Sequence, residues 1–263
     1  MGLTSMRTVF WLGFFASILV AWWYLYTTST GMDLDLLGRP GPMGDTMRTM
    51  DPGMAMAMPM AHFRPLFLMW GIMMAAMMLP TLVPTLRSYE DLMRSATGTR
   101  AGWLGVVLGF FLVWVGFAAT IASVQLILLH TGIIDMLGIA TSPWTAGALL
   151  IAVGAYQFTR AKDICHGVCH SPMMYFLGNW RTGFSGGLRM GLGLGAFCVG
   201  CCWGFMVLGF AGGVMNLAWM GAATLFMVLE KLPQIGHYVT KPMGFALILG
   251  GIAVIALPVS LWI

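Results

Sequence analysis

Three cysteines, Cys198, Cys201 and Cys202, lie within five positions of an apolar, glycine-rich stretch. Positions i, i+3 and i+4 share one face of a helix, so a helix through this run points all three thiols at one place. Met206 lies one turn beyond Cys202 on the same side and adds a thioether. Soft sulfur ligands select soft ions such as Cu(I). The spacing therefore predicts either a metal site or a redox site at this helix.

A second group of donors follows the fourth apolar segment, where Cys165, His166, Cys169 and His170 fall within six residues. On a continuing helix the two cysteines lie one turn apart, with the histidines beside them. Thiolate and imidazole ligands suit Cu(I) or Zn(II). Pro172 is expected to end this helix, because proline disfavours the helical conformation of the residue before it. The alternative is a pair of reduced surface thiols with incidental histidines.

Methionines mark two further places. In the second apolar segment Met73, Met77 and Met78 belong to two rows at helical spacing, which suits either thioether ligation or ordinary packing. A polar segment before it holds a second set, interleaved with glycine, proline and aspartate: Met43, Met47, Met50, Met54, Met56, Met58 and Met60, then His62. We expect this segment to be a mobile external loop that captures Cu(I), or else a loop with methionine as apolar filler.

Glu230 ends the sixth apolar segment and precedes Lys231. Two interpretations remain open for this acidic side chain at a membrane edge. It pairs with Lys231 or reaches water, or it balances the charge of a bound metal and takes a proton released from a thiol.

The elements that must position these residues follow from composition. The chain of 263 residues is 59% hydrophobic and 8% charged, whereas a soluble domain carries about 25% charged residues. We therefore predict an all-α, polytopic transmembrane helical bundle, because a helix satisfies its own backbone hydrogen bonds in lipid. About seven spans are expected, with a turn at Gly209–Asn216 between the fifth and sixth: 8–26, 65–86, 103–130, 143–160, 187–210, 214–230 and 243–262.

This pattern divides the chain into an N-terminal anchor helix (1–26), a Met-rich external loop (27–64) and a helical membrane domain with the metal-site candidates (65–263). A cytoplasmic N-terminus leaves ten Lys and Arg residues inside and three outside, which is the usual bias. We expect a multi-pass protein of the bacterial cytoplasmic membrane, surrounded by lipid. The net charge of +4 reflects this orientation and implies no nucleic-acid partner.

Taken together, these motifs resemble a family of bacterial inner-membrane proteins described as predicted metal-binding integral membrane proteins. The likeness covers residues 65–235 and rests on four motifs: Trp70-x-x-Met73-x-x-Ala76-Met77-Met78-Leu79-Pro80, Tyr156-Gln157 with Lys162-x-x-Cys165-x-x-x-Cys169-x-Ser171-Pro172, Cys198-x-Gly200-Cys201-Cys202-Trp203 and Glu230-Lys231. The resemblance implies a membrane location and metal binding by Met73, Met77, Met78, Cys165, Cys169, Cys198, Cys201, Cys202 and Glu230. His166 and His170 depart from the family pattern.

The residues favour a membrane protein that handles or transports Cu(I), with zinc as a second possible ion. In this hypothesis the external methionines capture copper, ligands at membrane depth carry it, and the group from Cys165 to His170 receives it at the cytoplasmic side. Two alternatives are a membrane dithiol oxidoreductase and an assembly factor that inserts copper into a membrane enzyme. Expected partners are the metal ion, and a copper-dependent membrane enzyme or a metallochaperone; an enzymatic activity of its own is less expected.

Overall fold

The computed structural model of the protein describes residues 3–48, 61–232 and 235–257. Within these ranges the fold is built of helices, which we number in chain order: α1 (Leu3–Gly31), α2 (Pro42–Arg48), α3 (Phe63–Ser95), α4 (Arg100–His130), α5 (Pro143–Tyr156), α6 (Arg160–His170), α7 (Pro172–Asn179), α8 (Gly183–Val207), α9 (Gly209–Gly212), α10 (Leu217–Glu230) and α11 (Gly236–Ala256). The prediction of an all-α fold is confirmed.

Five stretches of the described chain are helical, long enough and apolar enough to cross a membrane. They lie in α1, α3, α4, α8 with α9, and α11. The remaining two predicted spans correspond to α5 and α10, which have 14 residues each. At 1.5 Å per residue such a helix is about 21 Å long, against about 30 Å for a bilayer core. The structure therefore supports five membrane-length helices, and a count of seven crossings stays a prediction.

The chain turns between α8 and α10 where the sequence places a turn. Gly213 has a φ of +94°, a conformation that L side chains rarely adopt, and this favours glycine. Asn216 then caps α10, because its side-chain oxygen accepts a hydrogen bond from the backbone N–H of Trp219. This turn returns the chain into the bundle as α10.

Helix α3 continues through Pro80 and Pro84 without a break. Pro80 has no N–H to give to the carbonyl of Ala76, four residues earlier. The indole N–H of Trp22 in α1 donates to that carbonyl instead, at 3.1 Å. A side chain from a neighbouring helix thus supplies the hydrogen bond to the Ala76 carbonyl that Pro80 cannot donate.

Helices α4 and α8 pack closely along small residues. A Cβ added to Gly187 would collide with the backbone of Gly102, and one added to Gly191 would collide with the backbone of Val106. The glycine strip of α8 thus allows the two backbones to approach, as small residues do between helices in lipid. This contact fixes α8, which carries three of the cysteines.

Two turns of the same construction lie at one end of the bundle. Asp35, after α1, accepts hydrogen bonds through Oδ1 from the N–H groups two and four residues later, at 2.9 and 2.7 Å, and Gly38 has a φ of +73°. Asp135, after α4, makes the same two bonds at 3.0 and 2.8 Å, and Gly138 also has a φ of +73°.

One turn contacts the start of α10, and the other contacts the short helix α9 that follows α8. The carbonyl of Leu36 accepts from the N–H of Ala218, and the N–H of Ala140 donates to the carbonyl of Phe210. The C-terminal ends of α1, α4 and α8 therefore lie together. We call this the turn end of the bundle.

The opposite end is held by a charged cluster around Glu90 near the end of α3. Its carboxylate lies 3.0 Å from Arg7 of α1 and 2.5 Å from Arg100 of α4, and Trp11 donates to it at 3.2 Å. We call this the Glu90 end. Helices α5 and α10 both start at the turn end and are short, so α6 and α7 follow where these helices stop.

Candidate metal centre

Helix α6 presents an inward face of polar and sulfur-bearing side chains. Lys162, Cys165, His166 and Cys169 occupy positions i, i+3, i+4 and i+7, which share one side of a helix. Lys162 and Cys169 are buried, whereas Ile164 on the other side is 65% exposed. Helix α6 ends at His170 and Ser171 is non-helical, as expected from the restriction that Pro172 places on the residue before it.

This face lies against the cysteine run of α8. The Sγ atoms of Cys169, Cys198 and Cys201 are all within 4.8 Å of one another. The Cys169 and Cys201 sulfurs are 3.7 Å apart, and the Cys202 sulfur is 3.3 Å from that of Cys201. We call these four residues the thiol cluster; all are buried and none forms a disulfide. Cys169 of the second predicted group therefore joins the three cysteines of α8 in one site.

The spacing of the three mutually close sulfurs suits a shared ion. Thiolates bound to one metal at about 2.3 Å can be at most about 4.6 Å apart, so a small contraction brings the three sulfurs of Cys169, Cys198 and Cys201 onto one centre. A buried, sulfur-only donor set favours Cu(I), and Zn(II) is the other common ion for such ligands. The donors present thus fit a thiophilic cation as cargo.

A buried ammonium group contacts the cluster directly. Lys231 Nζ donates to the Cys198 sulfur at 3.0 Å and to Thr81 Oγ1 at 2.9 Å, and it lies 5.6 Å from the ring centre of Phe110. Lys231 is only 5% exposed. Its position ties α10 to α3 and α8 at the level of the thiols.

A second buried lysine holds α6 in place. Lys162 Nζ is 2.8 Å from a carboxylate oxygen of Glu230 and donates to the carbonyl of Cys201 at 2.6 Å. Thr240 donates to the same Glu230 oxygen at 3.0 Å. Glu230 therefore pairs with Lys162, whereas one interpretation of the sequence paired it with Lys231 or with water. The ion pair fastens α6 to α10, and the carbonyl contact fastens it to α8.

The histidines lie on the α10 side of α6. His166 Nε2 is 2.8 Å from the carbonyl oxygen of Glu230, and the two imidazole rings are 5.3 Å apart. A Cβ on Gly236 would lie 3.1 Å from Nδ1 of His170. Burial lowers the pKa of His166, which favours its neutral form. The structure thus places both histidines against the segment after α10, and the group of mutually close thiols does not include them.

Cys165 is set apart from the close thiol group. A Cβ on Gly200 would lie 2.6 Å from its sulfur, so the glycine makes room for this side chain. Burial raises the pKa of the Cys165 thiol. Cys165 is half-buried and serves as a natural comparison for the clustered cysteines.

The candidate methionines are buried in the bundle core. Met73 and Met77 are each 2% exposed, Met78 is fully buried and Met206 is 1% exposed. Met73 and Met77 continue at i+4 spacing to Thr81, which receives the Lys231 bond. In the Met-rich segment before α3, Met43 is 58% exposed. Met50, Met54, Met56, Met58 and Met60 lie outside the described residues.

Sequence reasoning missed three polar residues at this site: Lys162, Lys231 and Thr81. Lys162 shares the helical face of Cys165 and Cys169, which was a readable signal for an inward position. A lysine beside a glutamate at a helix end resembles an ordinary interfacial pair. The sequence around Lys231 therefore gave no sign that its side chain contacts the Cys198 sulfur. Thr81 is one turn beyond Met77, but its role depends on where α10 packs.

A family model matches the chain, whereas no curated protein and no solved structure does. The matching family model carries the description copper chaperone and covers residues 67–254. This region includes the whole thiol cluster and both buried lysines. This match agrees with the metal-binding resemblance of the sequence, and its description points to copper. With most of its length matched, the chain belongs to the copper chaperone family PpoB2.

Proposed function

We propose that this protein is a membrane-embedded copper chaperone that holds Cu(I) as cargo in the thiol cluster. One observation carries the proposal: Cys169, Cys198 and Cys201 bring three buried sulfurs within 4.8 Å of one another. Three soft donors in an apolar surrounding favour a monovalent soft ion over hard, strongly hydrated cations.

The membrane location is supported by five helices of sufficient length and apolarity among the described residues. We propose that α5 and α10 add two shorter crossings, which makes seven, and that the Glu90 end faces the cytoplasm of a bacterial cell. The bias of Lys and Arg toward the segments at that end supports this orientation. The thiol cluster then lies nearer the cytoplasmic face, where α6 completes the bundle.

Copper reaches or leaves the cluster along α3 in this proposal. Met73 and Met77 form a buried row at helical spacing that ends at Thr81. Thr81 contacts Lys231, which in turn contacts Cys198. Thioethers bind Cu(I) without requiring it to be hydrated, so the ion passes from sulfur to sulfur. The recipient is a copper-dependent enzyme, into which the chaperone inserts the ion.

Net transport across the membrane is the second candidate, and the methionine row of α3 favours it because that row extends from the cluster toward the turn end. Uptake of copper into sealed vesicles that contain the purified protein separates the two roles. Accumulation in the vesicle lumen supports transport. Binding without accumulation supports a chaperone.

Copper stoichiometry of anaerobically purified protein tests the thiol cluster. The double variant Cys198→Ser, Cys201→Ser should lose the copper that the wild-type chain retains after loading with Cu(I) and gel filtration. Cys165→Ser is the control, because it removes a neighbouring cysteine on α6, one turn before Cys169, that lies outside the close group, and it should retain copper. Equal stoichiometry in the wild type and the double variant would refute the site.

A further inference from the structure

The two buried lysines at the thiol cluster differ in how their charge is balanced. Lys162 lies 2.8 Å from the carboxylate of Glu230. Lys231 is also buried, yet within the described part of the chain no carboxylate forms an ion pair with it. A buried charge without a counter-charge is costly, so buried charges in proteins are normally paired. Lys231 therefore needs a negative partner among the groups that it contacts.

The contacts of Lys231 identify that partner. Its ammonium group donates to the Cys198 sulfur at 3.0 Å and to the Thr81 hydroxyl at 2.9 Å, and the Phe110 ring centre lies 5.6 Å away. A hydroxyl and an aromatic ring stay neutral, whereas a cysteine that binds a metal does so as a thiolate. A hydrogen bond between a charged donor and a charged acceptor is among the strong ones. The ammonium is thus placed to balance the charge of a metal-bound Cys198.

A count of charges shows why Cu(I) needs this balance. One Cu(I) ion with two thiolates carries a single excess negative charge, and a third thiolate raises the excess to two. In apolar surroundings each excess charge is expensive unless an opposite charge lies beside it. Lys162 cannot offset the third thiolate, because Glu230 already neutralises it. Lys231 touches one of the three close sulfurs and is not neutralised in this way.

We infer that Lys231 supplies the counter-charge that lets Cys198 act as the third thiolate of Cu(I), so that this lysine sets the coordination number of the ion at three instead of two. The inference rests on the proposed function and concerns how that site selects its ligands. Lys231 is a positioning residue in this role, since it contacts a ligand sulfur and not the ion. Copper gains a third soft donor without leaving the buried cluster.

X-ray absorption of the Cu(I)-loaded protein, in detergent and without oxygen, tests the inference. It reports the number of sulfur neighbours and the copper–sulfur distance, which is longer for three neighbours than for two. The wild type should show three sulfurs. Lys231→Leu should show two, and it should bind Cu(I) at least about tenfold more weakly in competition with a coloured chelator. Lys231→Arg keeps the charge and should retain three.

Matched variants separate charge from packing. Lys231→Gln keeps a polar side chain that can donate a hydrogen bond but has no charge, so it should also give two sulfurs, and it covers the case in which Lys231→Leu does not fold. Lys241→Leu removes the charge of an exposed lysine and should behave as the wild type. Cys198→Ser should show two sulfurs by itself, and adding Lys231→Leu to it should then change neither the sulfur number nor the affinity.

Three sulfurs with unchanged affinity in Lys231→Leu or Lys231→Gln would overturn the inference. Two sulfurs in the wild type would overturn it as well, while copper binding itself remained. Failure of the wild-type protein to bind Cu(I) would instead overturn the proposed function, so the two failures are distinguishable.

Discussion

The ion pair between Lys162 and Glu230 offers the most direct test of how the metal centre is assembled. Both side chains are essentially inaccessible, at 0% and 1% exposure, and their charged atoms are 2.8 Å apart. With an effective dielectric constant of about 20, an attraction across 2.8 Å amounts to about 6 kcal/mol before desolvation is subtracted. Removing one partner of such a pair leaves an uncompensated buried charge, which typically costs about 3–5 kcal/mol.

We predict that Glu230→Gln lowers the free energy of unfolding by about 3–5 kcal/mol. For a chain of this size the thermal midpoint should fall by on the order of 10 °C. Because Lys162 also fastens α6 to the carbonyl of Cys201, the variant should further displace Cys169 from the cluster and weaken copper retention.

A double-variant cycle supplies the control. Lys162→Leu alone should be destabilising for the same reason, and the pair Lys162→Leu, Glu230→Gln should be more stable than the sum of the two single changes predicts. The measurement is the thermal midpoint of detergent-solubilised protein, followed by the loss of the monodisperse peak in gel filtration. Additive effects of the two changes, or a wild-type midpoint in Glu230→Gln, would refute a buried pair at this position.

Two further changes probe the helix contacts around the site. Gly200→Ala should destabilise the protein by about 1–3 kcal/mol in thermal unfolding, because the new methyl group meets the Cys165 sulfur. The additional change Cys165→Ala should restore most of the lost stability. If it does not, the strain arises elsewhere. Trp22→Phe should lower the free energy of unfolding by about 1–3 kcal/mol, because it leaves the Ala76 carbonyl without a donor. Adding Pro80→Leu should reduce this loss, since leucine supplies the helical N–H that proline lacks. Equal effects of Trp22→Phe with and without the proline would contradict this explanation.

The parts of the fold that depend on local sequence could be predicted. Helical spacing correctly placed Cys198 and Cys201 on one side of α8, since neighbours on a helix are fixed by its pitch. Gly213 and Asn216 correctly indicated the turn that separates α8 from α10, because their backbone and capping preferences act within a few residues. The start of α7 at Pro172 follows from the same kind of local rule.

The join between α6 and α8 could not be predicted from spacing. Cys169 and Cys201 are 32 residues apart, and their contact depends on how far α5 extends before α6 begins. The fourth apolar segment was predicted to be a full crossing, which placed Cys169 beyond the end of the bundle. In the structure α5 ends at Tyr156, so α6 packs beside the cysteines of α8.

The partners of the buried charges were also beyond sequence reasoning. Glu230 and Lys231 are adjacent in the chain, yet they point to different groups, Lys162 and Cys198. Successive residues of a helix lie about 100° apart around its axis, so neighbours seldom share a partner. Which group each one meets is decided by the packing of α3, α6 and α8 around the end of α10.

The paired aspartate turns have a consequence for how rigid the copper ligands are. Asp35 and Asp135 order two loops that brace the far end of the bundle, one through the start of α10 and the other through the short helix α9, which directly follows the thiol-bearing α8. Such preorganisation leaves the backbone of α8 little freedom to rearrange, so adjustment during copper loading falls to side-chain rotamers. Softening either brace, far from any ligand atom, should therefore blur the selectivity of the site for one ion over another.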